Sequence, residues 1–169
     1  MSTTAHTCLW RLFYSSVAYM TTQTSYSVKT ALKGVREVFQ FKIEGKFHKN
    51  RRTMPDLNDL LSASKRHPMA GNKMKREYAT VANACIRQAR RRTPLRTPVY
   101  IVYRFYEGDK RRDKSNVAAF AIKVIEDSLQ EVGLLPNDGW AEVDNWTCRF
   151  GIDKDNPRIE VTVYEQGEY

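Results

Sequence analysis

The sequence predicts a single α/β (α+β) domain: a mixed four-stranded sheet with two main helices, in the order β-α-β-α-β-β. Three observations carry that expectation. The run Val99-Tyr100-Ile101-Val102-Tyr103-Arg104-Phe105-Tyr106 is β-branched or aromatic almost throughout, the composition of a central strand covered on both faces. Two stretches with apolar residues at helical spacing, residues 72–92 and about 117–132, stand on either side of it. Two more β-rich runs close the chain. With 169 residues and 41% hydrophobic content, the chain has room for one well-filled core and not for two.

Residues 1–34 differ from the rest of the chain. They are rich in Ser and Thr around a short apolar patch, residues 8–20, and are expected to form a poorly ordered arm ahead of a domain spanning 35–169. The patch is broken by Arg11 and preceded by no basic residue, unlike a signal peptide, and Met20 offers an alternative start of translation. Residues 38–43 alternate as a first strand that Gly45 would end. A basic loop with Lys46, His48, Lys49, Arg51 and Arg52 comes next, then a short helix opened by Pro55 and Asp56 over residues 55–61. A second basic loop, Lys65-Arg66-His67, would be closed by Gly71.

The helix expected over 72–92 puts Met74, Tyr78, Val81, Ala82, Cys85 and Ala89 on one face. Lys73, Lys75, Arg76, Arg87, Arg90, Arg91 and Arg92 populate the remainder, with Glu77 as their one acidic offset, which suits a phosphate-facing surface. Pro94 and Pro98 stop the helix before the strand at 99–106. Residues 141–150 and 158–164 read as the last two strands. The turn-forming residues 151–157 between them predict an antiparallel hairpin.

Charge and composition narrow the function. A net charge of +9 favours a polyanionic partner, nucleic acid ahead of an anionic membrane. Cys8, Cys85 and Cys148 are far apart and form neither a CxxC pair nor a cluster with His6, His48 or His67. That argues against zinc and suits a reducing, cytoplasmic interior. No stretch approaches the roughly 18 apolar residues of a membrane span.

Residues 110–140 concentrate the candidate chemistry. Lys110, Arg111 and Arg112 precede Asp113 directly; a phosphodiester nuclease needs cations for phosphates and carboxylates for a divalent metal that activates water. Ser115 or Asn116 can cap the following helix, and Gly133 suits the position just past its end. Val117, Ala121, Val124, Ile125, Leu129 and Val132 form its apolar face, flanked by a polar stripe of Asn116, Lys123 and Asp127. That stripe also reads as an ordinary i, i+4 salt bridge. Asn137-Asp138-Gly139 is good turn chemistry and at the same time supplies a second candidate metal carboxylate in Asp138. A helix over 117–132 is roughly 24 Å long. Asp113 and Asp138 therefore meet only if the flanking segments fold back along it or a second chain completes the site.

The string RRDKSN, Lys123 and Asp127 of the helix, Gly133 and the NDGW turn resemble the signature of the RusA-type endodeoxyribonucleases, small phage and prophage enzymes that resolve Holliday junctions. Residues 54–58, 71–77 and 153–160 are similar to other parts of that family, so the resemblance covers about residues 37–165. It implies a RusA-like fold, a Mg²⁺-dependent activity in which Mn²⁺ can substitute, and a homodimer acting on branched DNA in a bacterial or phage-infected cell, without a small-molecule cofactor or a membrane. By the same resemblance Asp113 and Asp138 are metal-binding aspartates, with Asp127 and Ser115 as further candidates, and Lys123 serves catalysis or DNA binding. Asn116, with Lys110, Arg111, Arg112, Lys73, Lys75 and Arg76, would face DNA. The departure is Ser115, which stands where the family pattern usually has aspartate and brings no charge to a metal. Two readings are open: a nuclease that retains activity, or a branched-DNA-binding protein that has lost it.

Overall fold

The computed structural model describes residues 35–44 and 52–166. From Arg36 onward these belong to one compact unit, Arg36–Gly167. The expectations for residues 1–34, and for Lys46, His48, Lys49 and Arg51 of the first basic loop, lie outside the described residues. The elements are β1 (Val35–Glu44), α1 (Leu57–Arg66), α2 (Pro68–Gln88), β2 (Val99–Glu107), α3 (Lys114–Glu131), β3 (Val143–Ile152) and β4 (Arg158–Gln166). The strands form one mixed four-stranded sheet in the order β1-β4-β2-β3. The mixed α/β architecture expected from the sequence is present, with α1 as a full third helix of 10 residues.

β2 is central, as its composition demands. It runs parallel to β3, from Val99 opposite Val143 to Glu107 opposite Ile152, and antiparallel to β4, from Val99 opposite Glu165 to Tyr106 opposite Arg158. Val99, Ile101, Tyr103 and Phe105 are fully buried and join Phe39, Phe41 and Ile43 of β1 and Ile159, Val161 and Val163 of β4 in the core. Helix residues meet them there: Tyr78, Ala82 and Ile86 of α2, and Val117, Phe120, Ala121, Val124, Ile125 and Leu129 of α3. On the opposite face Val102 is buried beside its register partner Thr162, whereas Tyr100, Arg104 and Tyr106 are half-buried. Coverage of β2 on that second face is therefore partial.

The expected β3–β4 hairpin does not form. The two strands run in opposite directions, but β2 lies between them and takes a partner at each edge. Its apolar residues at both parities make it the strand that gains most from a position inside the sheet. Residues 153–157 cross the end of β2 instead: the Asp153 N–H donates to the Glu107 carbonyl at 2.8 Å.

The corner between α1 and α2 also differs from expectation. Lys65 and Arg66 belong to the last turn of α1, and α2 begins at Pro68, so no loop closed by Gly71 separates the helices. His67, in extended conformation, is the whole connection; its Nδ1 accepts from the Met69 N–H at 3.2 Å, and Pro68 occupies the first turn where it loses no hydrogen bond. Gly71 sits inside α2 where it leans on α1: a Cβ there would lie 2.1 Å from Ser64 Oγ and 3.3 Å from Leu60 Cδ1. At its other end α2 stops at Gln88, short of the expected Arg92, and Arg90 has a positive φ of 61° just beyond it.

α3 starts earlier than expected, at Lys114, with Asp113 rather than Ser115 or Asn116 as N-cap. Its end conforms to the glycine rule. Gly133 has φ 77°, its N–H donates to the Gln130 carbonyl, and the Leu134 N–H donates to the Leu129 carbonyl, both at 2.9 Å. Leu134 and Leu135 then bury in the core, which turns the chain back along α3.

Candidate functional site

There are three candidate surfaces, two of them along α3, and the first lies at the amino end of that helix. The Asp113 side chain makes no cap bond to the helix backbone; its Oδ2 accepts from Asn116 Nδ2 at 3.3 Å. Ser115 is exposed on the first turn. Beside them the carboxyl ends of the parallel strands β2 and β3 border a cavity of about 310 Å³, lined by Glu107, Asp109, Lys110, Arg112, Lys114, Val117 and residues Phe150 to Ile152. Crossover connections between parallel strands commonly leave a ligand crevice in this position. Phe150, stacked on Phe105 with ring centroids 4.7 Å apart, helps form the apolar floor, and Lys114 Nζ lies 5.8 Å from its ring.

The three cations of the basic run have different partners. Arg111 is exposed and pairs with Asp109 at 2.6 Å, which holds that carboxyl below its ordinary pKa. Arg112 points inward. It reaches Glu107 at 2.9 Å, Asp56 at 3.3 Å and the Met54 carbonyl at 2.7 Å, joining the end of β2 to the N-cap of α1. These contacts tie its charge into the fold, and the residue also lines the cavity. Lys110, exposed on the cavity rim, is the member of the run best placed for an outside anion.

The second surface lies further along α3. Lys123 Nζ bonds Asp127 Oδ1 at 2.7 Å and Asp138 Oδ2 at 2.5 Å. The first contact is the i, i+4 pair that helical spacing allows; the second exists because the chain turns back after Gly133. Lys123 holds the Asp138 carboxyl below the usual carboxylate range, and the two aspartates raise the Lys123 pKa. Beneath them the buried Tyr103 hydroxyl donates to Glu126 Oε1 at 3.1 Å. Burial raises the pKa of Glu126, with repulsion from Asp138 and Asp127 adding to it. Glu126, which the sequence offers with Asp127 as a carboxylate that could stand in for the one Ser115 lacks, thus lies beside Lys123, Asp127 and Asp138.

The structure does not bring Asp113 and Asp138 together within one chain. Asp138 sits at the level of Lys123 and Asp127, and the ten residues from Asp113 to Lys123 are about 15 Å of helix. The fold-back is real but stops short. Among the described residues, no group of three or more His, Cys, Asp or Glu side chains is placed to hold a metal ion. Nor does Ser115 supply a carboxylate at the Asp113 end. The two-aspartate metal site implied by the resemblance therefore does not fit a single chain.

The third surface is α2. Lys73 and Arg76, with His67, Met69, Ala70, Glu77 and Thr80, line an open concavity of about 630 Å³. Lys75 is half-buried and does not line it. Near the end of α2, Arg91 is structural: it bonds Glu165 at 2.7 Å and the carbonyls of Val38, Thr93 and Pro94. Of the described cysteines, burial raises the Cys85 thiol and pushes the Cys148 thiol up to about 11, which disfavours the reactive thiolate at both.

One polar array escaped the sequence reading. On the outer sheet face the Arg158 guanidinium lies 3.9 Å above the Tyr106 ring and is held by Asp153 at 2.7 Å and Glu160 at 2.8 Å, while Arg104 donates to Thr162 Oγ1. The strands themselves were visible in the sequence. Which strands lie side by side was not, and that decides which side chains meet. No helix among the described residues is long and apolar enough to cross a membrane. No protein-family model and no curated protein matches the chain, so the likeness to the RusA-type enzymes stands on the motif residues themselves.

Proposed function

We propose that the protein is a structure-specific DNA endonuclease that hydrolyses phosphodiester bonds in branched DNA such as four-way junctions, and that it works with Mg²⁺ as a homodimer. The observation that carries this reading is the juxtaposition of hydrogen-bonded Asp113 and Asn116 with the cavity bearing Lys110 and Lys114, at the carboxyl ends of β2 and β3. In this reading the two lysines hold a phosphate and Lys73 and Arg76 of α2 hold a neighbouring stretch of backbone, while Asn116 orients the Asp113 carboxylate. A divalent ion in such enzymes offsets charge on the scissile phosphate. Because one chain keeps Asp113 and Asp138 apart, the reading requires a second chain to complete any shared site.

A second reading, junction binding without cutting, is favoured by two observations: Ser115 brings no carboxylate, and Lys123 neutralises Asp138. One assay separates them. A labelled four-way junction is incubated with Mg²⁺ and wild type, Asp113→Asn or Asp138→Asn. Cutting by wild type that both variants lose by at least about a hundredfold supports the nuclease. Tight, salt-sensitive binding with no cutting by wild type, and a gain of cutting in Ser115→Asp, supports the lapsed enzyme. Absence of junction binding sinks both.

A further inference from the structure

The cavity at the carboxyl ends of β2 and β3 joins two kinds of surface that a bare phosphate does not need together. Its rim is cationic: Lys110 and Lys114 are exposed there, while the carboxylates that share the lining, Glu107 and Asp109, are paired with Arg112 and Arg111. Its floor is apolar. Phe150 and Ile152 lie on the same face of β3, with Val117 of α3 beside them. β3 is an edge strand. One face of the Phe150 ring rests on Phe105, with centroids 4.7 Å apart and planes 14° from parallel, and no strand among the described residues adjoins β3 on its other side. Ile152 is left 44% exposed. We propose that this floor is a stacking platform for one unpaired nucleobase of branched DNA, with Lys110 and Lys114 holding the phosphates that flank it.

The proposal rests on the reading of this cavity as a DNA site and names what enters it. A base inside a duplex has both faces covered by its neighbours and offers nothing to an aromatic platform; a base at a branch point that has lost its partner does. At about 310 Å³ the cavity falls at the lower end of the range of small-ligand sites, about 300–1,000 Å³, which suits one base and not a base pair. Every base has a π-face, so the platform selects unpaired structure and not sequence. Lys114 links floor and rim. Its Nζ lies 5.8 Å from the Phe150 ring centroid, near enough for the ammonium to pass from the ring to a phosphate of the stacked nucleotide. Phe150 and Lys114 together thus distinguish a junction from linear duplex without base-specific contacts.

Fluorescence anisotropy with the full chain in EDTA tests this without cutting. The probes are a four-way junction, the same junction with abasic residues at the branch point, and a linear duplex. Wild type should bind the intact junction about five- to a hundredfold more tightly than Phe150→Leu does, and Phe150→Tyr, which keeps the flat ring, should match wild type. On the abasic junction and on the duplex, wild type and Phe150→Leu should bind alike. Circular dichroism checks the fold. If Phe150→Leu does not fold, wild type alone decides: it should lose at least about fivefold in affinity from the intact to the abasic junction, and an unchanged affinity overturns the inference. Equal affinity of wild type and a folded Phe150→Leu for the intact junction, or a loss of the same size on all three probes, overturns it too and leaves the nuclease reading standing. No binding of the junction by wild type defeats the nuclease reading and the inference together.

Discussion

Single charged residues in this protein have fates that neighbouring positions in the chain do not share. Arg111 is exposed against Asp109, whereas Arg112, the next residue, is held by Asp56, Glu107 and a backbone carbonyl. The Lys123–Asp138 contact gives a pH prediction with a definite sign. Asp138 has a depressed pKa in the folded state, caused first by its hydrogen bond from Lys123. Its contribution to stability is therefore fully present above the unfolded carboxylate value of about 3.9 and is lost as pH falls through the lower folded value. Lys123, raised mainly by Asp127 and then Asp138, contributes fully below about 10.4 and loses that contribution as pH rises through its folded value. The side chains are 49% and 25% exposed, so the pair is worth less than about 1 kcal/mol. Urea melts between pH 5 and pH 2 should show a shallower acid-side loss of stability for Asp138→Asn than for wild type. Identical slopes would mean that the contact does not persist in solution.

Among the elements, the ends of α3 matter more than its middle. Its apolar face was legible: Val117, Ala121, Val124, Ile125 and Leu129 are all buried, with Val132 half-buried at the edge. Its carboxyl end decides where Asp138 lies, through the positive φ of Gly133 and the two reverse hydrogen bonds. A Cβ at Gly133 would meet nothing within 4 Å, so the cost of a side chain there is conformational alone. Gly133→Ala should lower stability by about 1 kcal/mol, and Gly133→Asn by less, since Asn tolerates the left-handed region better. Chemical denaturation measures both. A neutral Gly133→Ala would show that the turn does not need this geometry. At the α1–α2 corner the role of Gly71 is different: Ser64 and Leu60 leave little room above it.

For the whole molecule, the net charge of +9 is unevenly distributed. From residue 124 to residue 148 the chain carries acidic residues and no Lys or Arg, while residues 46–114 are strongly basic. Polyanion binding is accordingly expected at α2 and at the cavity beside the start of α3. Junction affinity should fall steeply with salt. Replacing Lys73 and Arg76 together by Gln should reduce the slope of log affinity against log salt by about 2, one for each phosphate no longer neutralised. An unchanged slope, measured by fluorescence anisotropy, would place the DNA elsewhere on the surface.

Sequence alone determined the class of fold, the central place of β2, the buried face of α3 and the glycine that ends it. Each stems from local periodicity or from a backbone conformation that one residue type favours. It also marked Asp113, Asn116, Lys123, Asp127 and Asp138 as the polar residues around α3. Only the tertiary structure decided their grouping. Asp113 pairs with Asn116 at one end, and Lys123 gathers Asp127 and Asp138 about 15 Å away along the helix. It likewise decided that β2 separates β3 from β4, and that Arg112 lies between the half-buried carboxylates of Asp56 and Glu107. The physical reason is the same in each case. Periodicity reports which face of an element is apolar, but contacts between distant segments depend on which elements become neighbours. That is settled by burial summed over the whole core, to which no single stretch of sequence holds the key.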